Sequence, residues 1–453
     1  MDLKKNDKIE LYIDAVTSEG SGIGRYNGFA VFVRSTVPGD KIIAHIIKVS
    51  KNYAIGIIDE ILIPSAERIE SDCAVSEKCG GCAFRDMTYA EELKYKLSRV
   101  QDAISRIGHI DFKVEKIVGA EEINHYRNKA QYPVYIENGN LTAGFYAYKS
   151  HRIIPCSDCL LQPVEFAKGI KAFENWVKKN NITSFDEETG KGLLRHIYFR
   201  KAFGTGEMMA CAVVNANDIP DRDYLVSELQ RAFENLKSVV ININKKKTNV
   251  ILGSKTKTIW GSDKITDVLL GKKFVVSPQS FYQVNHNQCE KLYSLVAEYA
   301  NLKGCETVVD MYCGAGTIGL TLADQCKHLV GIEIIESAIE NANENAQLNG
   351  VDNADFICAD AFDGANKIEK MGLKPALVIV DPPRKGCQKE LFDVIENMGA
   401  KRMIYVSCDS ATLARDLAIL KEKGYALKNL TAVDMFPRTP HVETVVLMSR
   451  KEK

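Results

Sequence analysis

The sequence predicts an α/β protein that combines a doubly wound parallel sheet in its C-terminal part with a small five-stranded barrel at its N-terminus. From about residue 274 onward, predicted strands alternate with predicted helices, which is the pattern of a parallel sheet covered on both faces. Residues 7–63 instead hold short β-rich runs at regular spacing, which is typical of an OB-type barrel. With 453 residues, the chain has room for two or three domains, which we place at residues 1–63, 64–270 and 271–453.

The barrel strands are predicted from β-rich, largely apolar runs separated by Gly-rich turns. The runs cover residues 9–13, 29–33, 42–47 and 54–61, with a further turn at Pro38-Gly39-Asp40. Barrels of this type often bind RNA through basic and aromatic residues on one face. The candidates for such a face are Arg25, Tyr26, Lys48, Lys51 and Tyr53. An ordinary solvated surface accounts for the same residues equally well.

Composition limits the function classes. Lys plus Arg (59) equals Asp plus Glu (59), so a nucleic-acid binder of this composition must concentrate its basic residues on one face. We find no apolar run long enough to cross a bilayer and no secretory signal pattern, so we expect a cytoplasmic protein. Its 13 cysteines would then be reduced, and clustered ones indicate metal binding or catalysis rather than disulfides.

The central region is predicted to be mixed α+β. An amphipathic helix covers roughly residues 89–107, and we expect the segment near residues 89–125 to pack on the C-terminal domain. Basic stretches lie at Lys149–Arg152 and Lys245–Lys247. For the second stretch, a solvated loop is the simpler interpretation, and a contact with RNA phosphates is the more specific one.

Five cysteines in this central region form a metal-type pattern. Cys73, Cys79 and Cys82 lie within ten residues, separated by Gly80 and Gly81, and a Cys-x-x-Cys pair follows at Cys156 and Cys159. Four thiolates satisfy either zinc or an iron–sulfur cluster. The spacing leaves open which metal is bound and which of the last two cysteines is the fourth ligand.

A glycine-rich turn at residues 311–319 follows a predicted strand at 307–310 and opens a helix. The Gly-x-Gly-x-x-Gly pattern alone also fits a dinucleotide dehydrogenase. Four acidic residues, however, follow or end successive predicted strands: Asp310, Glu333, Asp360 and Asp381. This series suits S-adenosylmethionine (SAM), a cationic ligand with a ribose and no pyrophosphate.

Two further residues are candidates for chemistry. Cys408 follows the apolar run 403–406, at a predicted strand end where α/β sheets present reactive groups. A thiol there is a candidate nucleophile, although free cysteines are more often small buried apolar residues. Glu443 lies in the alternating run 442–445, where an ordinary edge-strand glutamate is the simpler interpretation.

Taken together, the motifs resemble those of the SAM-dependent RNA uracil-5-methyltransferases, in the branch that carries an iron–sulfur cluster. The resemblance covers nearly the whole chain. It depends on Gly-x-Gly-Ile-Gly-Arg and Val-Pro-Gly-Asp in the barrel, the cysteine pattern, Phe281–Asn285, Asp310–Gly314, Asp381–Arg384, Ser407–Asp409 and His441–Thr444. It implies a Rossmann-like SAM methyltransferase domain, an N-terminal TRAM barrel and a central α+β domain.

The resemblance also implies roles for individual residues. Cys408 would attack C6 of a uracil and Glu443 would remove the C5 proton. A [4Fe–4S] cluster would be held by Cys73, Cys79, Cys82 and Cys159. SAM would contact Gln283, Tyr312, Thr317, Glu333, Asp360 and Asp381; Thr317 stands where some members have asparagine.

The implied activity is methylation of C5 of a uridine in 23S ribosomal RNA. The sequence leaves the oligomeric state open, and a monomer needs the fewest assumptions. The same chemistry on transfer RNA is the nearest alternative, and a non-catalytic iron–sulfur RNA-binding protein is an alternative of another class. A radical SAM enzyme would need a Cys-x3-Cys-x2-Cys triad, from which the spacing of Cys73, Cys79 and Cys82 departs.

Overall fold

The computed structural model describes residues 3–450 and confirms the α/β class, with a closed five-stranded barrel at the N-terminus. The helices are α1 (Tyr89–Asp102), α2 (Glu165–Asn180), α3 (Arg222–Ala232), α4 (His286–Ala300), α5 (Thr317–Leu322), α6 (Glu336–Leu348), α7 (Ala361–Lys370), α8 (Lys389–Asn397) and α9 (Ser410–Glu422). The barrel strands are β1 (Lys8–Val16), β2 (Gly22–Tyr26), β3 (Phe29–Val33), β4 (Lys41–Val49) and β5 (Tyr53–Ile63).

Two further sheets and a hairpin complete the molecule. The central strands are β6 (Ile117–Val118), β7 (Lys129–Glu137), β8 (Asn140–Tyr146), β9 (Ile153–Pro155), β10 (Leu194–Lys201), β11 (Met208–Val214), β12 (Leu236–Ile243), β13 (Lys255–Gly261), β14 (Ile265–Leu269) and β15 (Lys272–Val276). The C-terminal strands are β16 (Thr307–Met311), β17 (His328–Glu333), β18 (Ala354–Cys358), β19 (Leu377–Val380), β20 (Arg402–Ser407), β21 (Tyr425–Val433) and β22 (Glu443–Arg450).

The barrel closes in the order β1-β2-β3-β5-β4. Alternate residues of each strand point inward because successive side chains of a strand lie on opposite faces, so Ile9, Leu11 and Ile13 of β1 are buried. The predicted run 29–33 coincides with β3, whereas β4 and β5 extend beyond their predicted runs. The turn before β4 is fixed by the buried Asp40 carboxylate, which accepts hydrogen bonds from the backbone N–H groups of Val37 and Ser65.

The central region is built on a seven-stranded sheet in the order β13-β12-β11-β10-β7-β8-β9, with α2 and α3 packed on one face. Residues 245–247, between β12 and β13, form an exposed loop, as the simpler interpretation of this basic stretch requires. The hairpin of β14 and β15 packs in the same apolar core as α4 and the C-terminal sheet.

The C-terminal sheet has eight strands in the order β18-β17-β16-β19-β20-β22-β21-β6. The first five are mutually parallel, so their carboxyl ends share one edge. Strand β22 is antiparallel to both of its neighbours, β20 and β21. The amino end of β22 therefore lies at the same edge as the carboxyl ends of the parallel strands.

The segment that begins with α1 joins this sheet from outside the C-terminal region. The helix predicted for residues 89–107 ends as α1 at Asp102 and continues as a short π-helix, Ala103–Ile107. Strand β6 then pairs with β21 in parallel. The buried face of α1 carries two charged side chains, Glu92 and Lys96, which an amphipathic pattern does not predict.

Candidate active site

One cavity of about 1650 Å³ opens along the edge where the parallel strands of the C-terminal sheet end. It is bordered by every sequence-predicted catalytic and cofactor residue, from seven separate stretches of chain. These residues are Gln283, Tyr312, Thr317, Glu333, Asp360, Asp381, Cys408 and Glu443. The cavity has two parts, which we call the glycine-loop half (Tyr312–Thr317, Glu333 and Asp360) and the thiol half (Asp381, Arg384, Cys408 and Glu443).

The glycine-loop half is shaped by backbone geometry. Tyr312, Gly314 and Gly316 all have positive φ angles, of 65°, 55° and 79°. A positive φ is uncommon outside glycine, so the conformation of Tyr312 is held by its surroundings. The loop turns sharply from β16 into α5, and a ligand at this edge of the sheet would therefore meet backbone as well as side chains.

The carboxylates of this half have fixed partners. Glu333 accepts hydrogen bonds from the Gly314 N–H at 3.2 Å and from the Ile335 N–H at 3.0 Å. Asp360 caps α7 by accepting from the Phe362 N–H at 3.0 Å. Exposed apolar side chains lie beside them at Ile334 and Ile335. Carboxylates next to an apolar surface suit the hydroxyls and the flat base of a nucleoside.

Asp310 lies beneath the glycine loop rather than in the cavity. One of its oxygens accepts from the Gly319 N–H at 2.9 Å, and the other has no partner among the described residues. Burial raises its pKa to about 8, and the carboxylates of Asp381 and Glu333 add to the rise. The residue therefore holds the start of α5 in place, which accounts for one of the four acidic positions predicted from sequence.

In the thiol half, Cys408 follows the last residue of β20 and Glu443 begins the antiparallel β22. Burial, with the carboxylates of Glu443 and Asp381, raises the pKa of the Cys408 thiol to about 11, whereas Arg384 opposes the rise. The Glu443 side chain is 4% exposed, and its Oε2 atom has no hydrogen-bond partner among the described residues. Burial raises its pKa to about 8.

Asp381 lies between the two halves. Burial raises its pKa to about 7. Its charge contributes to the pKa values of Cys408, Glu443 and Asp310, so these four groups share one electrostatic environment. A cationic ligand placed among them would lower the cost of ionising the carboxylates.

Three residues of the cavity were missed by the sequence analysis. The Tyr293 hydroxyl is hydrogen-bonded to Thr317 at 2.9 Å, which ties α4 to the glycine loop. Arg384 lies within 3.5 Å of the His441 imidazole, whose pKa burial lowers to about 4. Arg384 and His441 belong to the motifs Asp381–Arg384 and His441–Thr444, so membership of these motifs could have identified both as site residues. Tyr293 gave none, because it reads as one apolar position of a helix.

Comparison with known proteins agrees with this geometry. The model of the tRNA (Uracil-5-)-methyltransferase family matches residues 88–451, and that of the TRAM domain matches residues 3–58. An uncharacterized RNA methyltransferase of Clostridium tetani is 44% identical over 99% of this chain and 97% of its own. One from Halalkalibacterium halodurans is 42% identical over 99% and 98%.

One solved structure is similar over nearly the whole length of both chains. It is Pyrococcus abyssi tRNA (uracil-54, C5)-methyltransferase in complex with S-adenosyl-L-homocysteine, with a TM-score of 0.79 and 27% identity over 97% of this chain and 99% of the other. The chain belongs to the tRNA (uracil-5-)-methyltransferase family. It is a SAM-dependent RNA uracil-5-methyltransferase with an N-terminal TRAM barrel.

The residues of the cavity fit the cofactor of this family. A cationic sulfonium suits the electrostatic environment of Asp381. The acidic groups there have raised pKa values, and they are not matched by an equal number of basic groups. The fixed carboxylates of the glycine-loop half suit ribose hydroxyls. The exposed Phe281 and the backbone of Gln283, whose carbonyl accepts from the Asn128 side chain at 2.8 Å, border the same space.

Part of the cavity lining is basic, and we call it the basic wall. Arg34 from the barrel, Arg127, Lys129 and Lys149 all border the cavity, and the Arg34 guanidinium lies 3.9 Å from the centre of the Tyr148 ring. Burial lowers the pKa of Lys129 to about 8. Within residues 3–450, the barrel residues predicted as an RNA face (Arg25, Tyr26, Lys48, Lys51 and Tyr53) do not border this cavity.

The five cysteines of the metal-type pattern lie near one another. The Gly81 N–H donates to the Cys79 sulfur at 3.4 Å, and the pKa values of Cys79 and Cys82 are both raised, by burial first and by neighbouring thiols second. Cys156 donates a hydrogen bond to Cys159 and lowers its pKa to about 7. Across the described range 3–450, however, no three His, Cys, Asp or Glu side chains are arranged so that they could hold a metal ion. The donor chemistry fits an iron–sulfur cluster, in which each thiolate binds a different iron and no three donors need to surround one ion.

The described part of the chain contains no helix that is both long and apolar enough to span a membrane.

Proposed function

We propose that this enzyme methylates C5 of a uridine in 23S ribosomal RNA through a bond between the Cys408 sulfur and C6 of the base, with Glu443 as the base that removes the C5 proton. The observation that carries the proposal is that a thiol and a buried, unpartnered carboxylate oxygen border one cavity at the sheet edge. The cavity also holds the residues that fit a nucleoside cofactor.

C5 of uracil is a weak nucleophile, and addition of a thiolate at C6 makes C5 more nucleophilic. When the Cys408 thiolate adds to C6, the electrons of the C5–C6 double bond move into an enolate, and C5 gains carbanion character. Bound SAM would supply the electrophilic methyl group for this carbon, and its sulfonium would leave as the neutral thioether of S-adenosyl-L-homocysteine. Glu443 then takes the C5 proton, the double bond re-forms, and the C6–S bond breaks to release Cys408 as a thiolate.

The electrostatics of the thiol half support these roles. A base that works near neutral pH needs a pKa near that range, and the pKa of Glu443 is raised to about 8. Cys408 must be deprotonated to attack, and Arg384 favours its thiolate against the surrounding carboxylates. We propose that Asp381 contacts both the cofactor and the edge of the uracil.

The remaining cofactor contacts are proposed as follows. The Glu333 carboxylate would hold the ribose hydroxyls and Asp360 would contact the adenine, each with its own oxygens already oriented by backbone N–H groups. Gln283, Tyr312 and Thr317 would close the pocket around the rest of the ligand. The hydrogen bond between Tyr293 and Thr317 fixes the orientation of the Thr317 side chain.

The RNA would be held by the rest of the chain. We propose that residues 1–63 and 64–270 act as RNA-binding domains and residues 271–453 as the catalytic domain. The target uridine must leave its stack or lie in a loop to reach Cys408. The basic wall would then contact phosphates beside it. We also propose a monomer located in the cytoplasm, where the thiols stay reduced.

A [4Fe–4S] cluster bound by Cys73, Cys79, Cys82 and Cys159 is part of the proposal, with a structural role. It is supported by the proximity of the thiols and the Gly81 amide beside sulfur. Cys156, whose thiol lies beside that of Cys159, is the competing fourth ligand. Anaerobic purification should give a brown protein that contains iron and sulfide. A colourless preparation that contains zinc would contradict the cluster.

Transfer RNA is the second candidate substrate. It is favoured by the similar structure from Pyrococcus abyssi, a tRNA (uracil-54, C5)-methyltransferase that this chain matches over 99% of its length. The two candidates share every step at the base and differ only in the surrounding RNA. Mapping 5-methyluridine across total RNA from a deletion strain would separate them, since the modification should disappear from one RNA class.

The covalent step is tested with RNA that contains 5-fluorouridine. Fluorine at C5 cannot be removed as a proton, so a methylated complex between Cys408 and the RNA should accumulate in the presence of SAM. Cys408→Ala should abolish the complex, whereas Cys305→Ala, which changes an exposed cysteine outside the cavity, should not. A complex that survives Cys408→Ala would exclude this nucleophile.

A further inference from the structure

Glu443 is preceded by a loop that borders the thiol half along much of its length. Strands β21 and β22 pair up to Val433 and Glu443, which are direct partners. Residues 434–442, which we call the 434–442 loop, connect them. Phe436, Thr439, Pro440 and His441 of this loop border the cavity beside Glu443. Its conformation therefore affects where Glu443 and its neighbours stand relative to a bound base.

One face of α1 grips this loop. Tyr89, Glu92, Lys96 and Arg99 are spaced three and four residues apart, so they share one side of the helix. Each of them bonds to the 434–442 loop: Tyr89 to the Asp434 carboxylate at 2.7 Å, Glu92 to the Arg438 N–H at 2.7 Å, Lys96 to Asp434 at 2.6 Å, and Arg99 to the Pro440 carbonyl at 2.7 Å.

The centre of this contact is fully buried and charged. Glu92, Lys96 and Asp434 are all 0% exposed. Lys96 also bonds to Glu92 at 2.7 Å and to the Phe436 carbonyl at 3.2 Å. Buried ion pairs are poor sources of stability compared with apolar packing, but their hydrogen bonds fix the geometry of the groups that they join. The second oxygen of Glu92 has no hydrogen-bond partner among residues 3–450 and lies 3.7 Å from the Arg438 guanidinium. If α1 had only a structural role, apolar side chains at these positions would be sufficient.

The backbone of the loop is held from other directions as well. Arg438 has a positive φ of 69°, and its carbonyl accepts from the Ala83 N–H at 2.9 Å. The Tyr126 hydroxyl donates to the Pro437 carbonyl at 3.0 Å, and the Asn285 side chain donates to the Met435 carbonyl at 3.2 Å. An uncommon backbone conformation persists only where surrounding contacts determine it, and it occurs most often at functional sites.

We propose that the polar face of α1 (Tyr89, Glu92, Lys96 and Arg99) positions the 434–442 loop, and with it Glu443, for removal of the C5 proton. The proposal rests on the role proposed above for Glu443. Cys408 follows β20, whose Ser407 pairs with Thr444 of β22, and precedes α9, whose first turn is capped by Asp409 at 2.9 Å. Among residues 3–450, Cys408 makes no hydrogen bond of its own to the 434–442 loop. Loss of the α1 contacts should therefore impair proton removal and spare thiol addition. Lys96 and Arg99 are positioning residues, since neither touches the base.

The test compares two rates in Lys96→Met and Arg99→Ala. Formation of the complex with 5-fluorouridine RNA reports the steps up to methyl transfer, and release of methylated RNA from ordinary uridine substrate reports proton removal. A misplacement of about 1 Å costs on the order of 100-fold in rate, so Lys96→Met should slow release by about that factor. Arg99→Ala, which removes one contact at a half-exposed site, should have a smaller effect in the same direction, and Arg99→Lys should restore release.

Lys94→Ala is the matched control, because Lys94 lies on the exposed side of the same helix and pairs only with Glu91. Circular dichroism shows whether each variant is folded, and Arg99→Ala carries the test if Lys96→Met is not. Equal losses in complex formation and release would mean a merely structural helix, and unchanged release would also overturn the proposal. If Glu443→Gln itself releases RNA at the normal rate, the role of Glu443 fails, which is a different result.

Discussion

The two halves of the cavity treat their carboxylates differently. In the glycine-loop half, Glu333 and Asp360 accept hydrogen bonds from backbone N–H groups, so their oxygens are oriented before any ligand arrives. In the thiol half, Glu443 is buried with one oxygen unpartnered among residues 3–450. Oriented acceptors suit the binding of a ligand, whereas a poorly solvated carboxylate suits a group that takes up a proton.

This difference in hydrogen-bond partners shows that position at a sheet edge does not by itself assign a role to an acidic residue. All three side chains border the same cavity, and all lie at strand ends. Their surroundings separate them: the partners of Glu333 and Asp360 are fixed amides, and those of Glu443 are other acidic groups and Arg384. Each of the following experiments changes one half and leaves the other in place.

The largest effect is expected for Glu443→Gln. Loss of a general base typically costs about 10²- to 10⁴-fold in rate, so turnover should fall by that factor while methylated RNA stays attached to Cys408. Denaturing electrophoresis of labelled RNA measures the attached fraction. Glu422→Gln, at the exposed end of α9, should behave like wild type. Rapid release from Glu443→Gln would remove the residue from this role.

Glu333→Ala should act on the cofactor instead. Hydrogen bonds to a charged group contribute about 1.5–3 kcal/mol, so the KM for SAM should rise by about 10- to 150-fold. The rate at saturating SAM should change little, because the thiol half is intact. Initial rates across a SAM concentration series distinguish the two parameters. A fall in kcat at unchanged KM would mean that Glu333 serves the chemistry rather than binding.

The stability of Glu443→Gln should exceed that of wild type at high pH. The folded-state pKa of Glu443 is raised to about 8 from 4.5, so its protonated form favours folding and this contribution is lost as pH rises from about 4.5 through 8. Glutamine stays neutral, so the variant should gain on the order of a few kcal/mol relative to wild type between pH 5 and pH 8.5. Urea unfolding at both pH values measures this. A difference that does not grow with pH would contradict the buried, unpaired state of Glu443.

The smallest effect is expected for Tyr293→Phe, which removes only the hydrogen bond to Thr317. A typical hydrogen bond contributes about 0.5–1.5 kcal/mol, so the KM for SAM should rise by about 2- to 10-fold with kcat unchanged. Thr317→Val should give a similar value, and the double variant should add little, because both remove the same contact. Full additivity would show that the two side chains act independently.

Much of the fold could be predicted from apolar runs. The runs before Asp310, Glu333, Asp360 and Cys408 each fall on a strand. Three of these strands are largely buried and read as short continuous apolar segments, whereas β18, before Asp360, is a partly exposed edge strand. The direction of a strand leaves no such mark. That β22 runs antiparallel, and so presents its first residue to the cavity, depends on contacts across the sheet. On sequence alone Glu443 was an ordinary edge glutamate for this reason.

The polar face of α1 shows a second limit. Hydrophobic periodicity assigns charged residues to the solvent side of a helix. Glu92 and Lys96 pair with each other and break that rule because each also has a partner in the 434–442 loop, more than 300 positions away. Neither partner in the loop can be identified by local spacing. The cysteine pattern shows the converse, since spacing brought the right residues together but could not define their arrangement.

The reversed strand also determines how the enzyme can be handled. Because β22 starts at the cavity and leads away from it, Arg450 lies on the far side of the sheet, about 24 Å from Glu443 for eight residues of extended chain. An affinity tag or fluorophore joined to the chain beyond Arg450 would be attached at the side of the sheet remote from the cavity. Surface tethering through that end should therefore leave the cavity open for single-molecule observation of adduct formation and release.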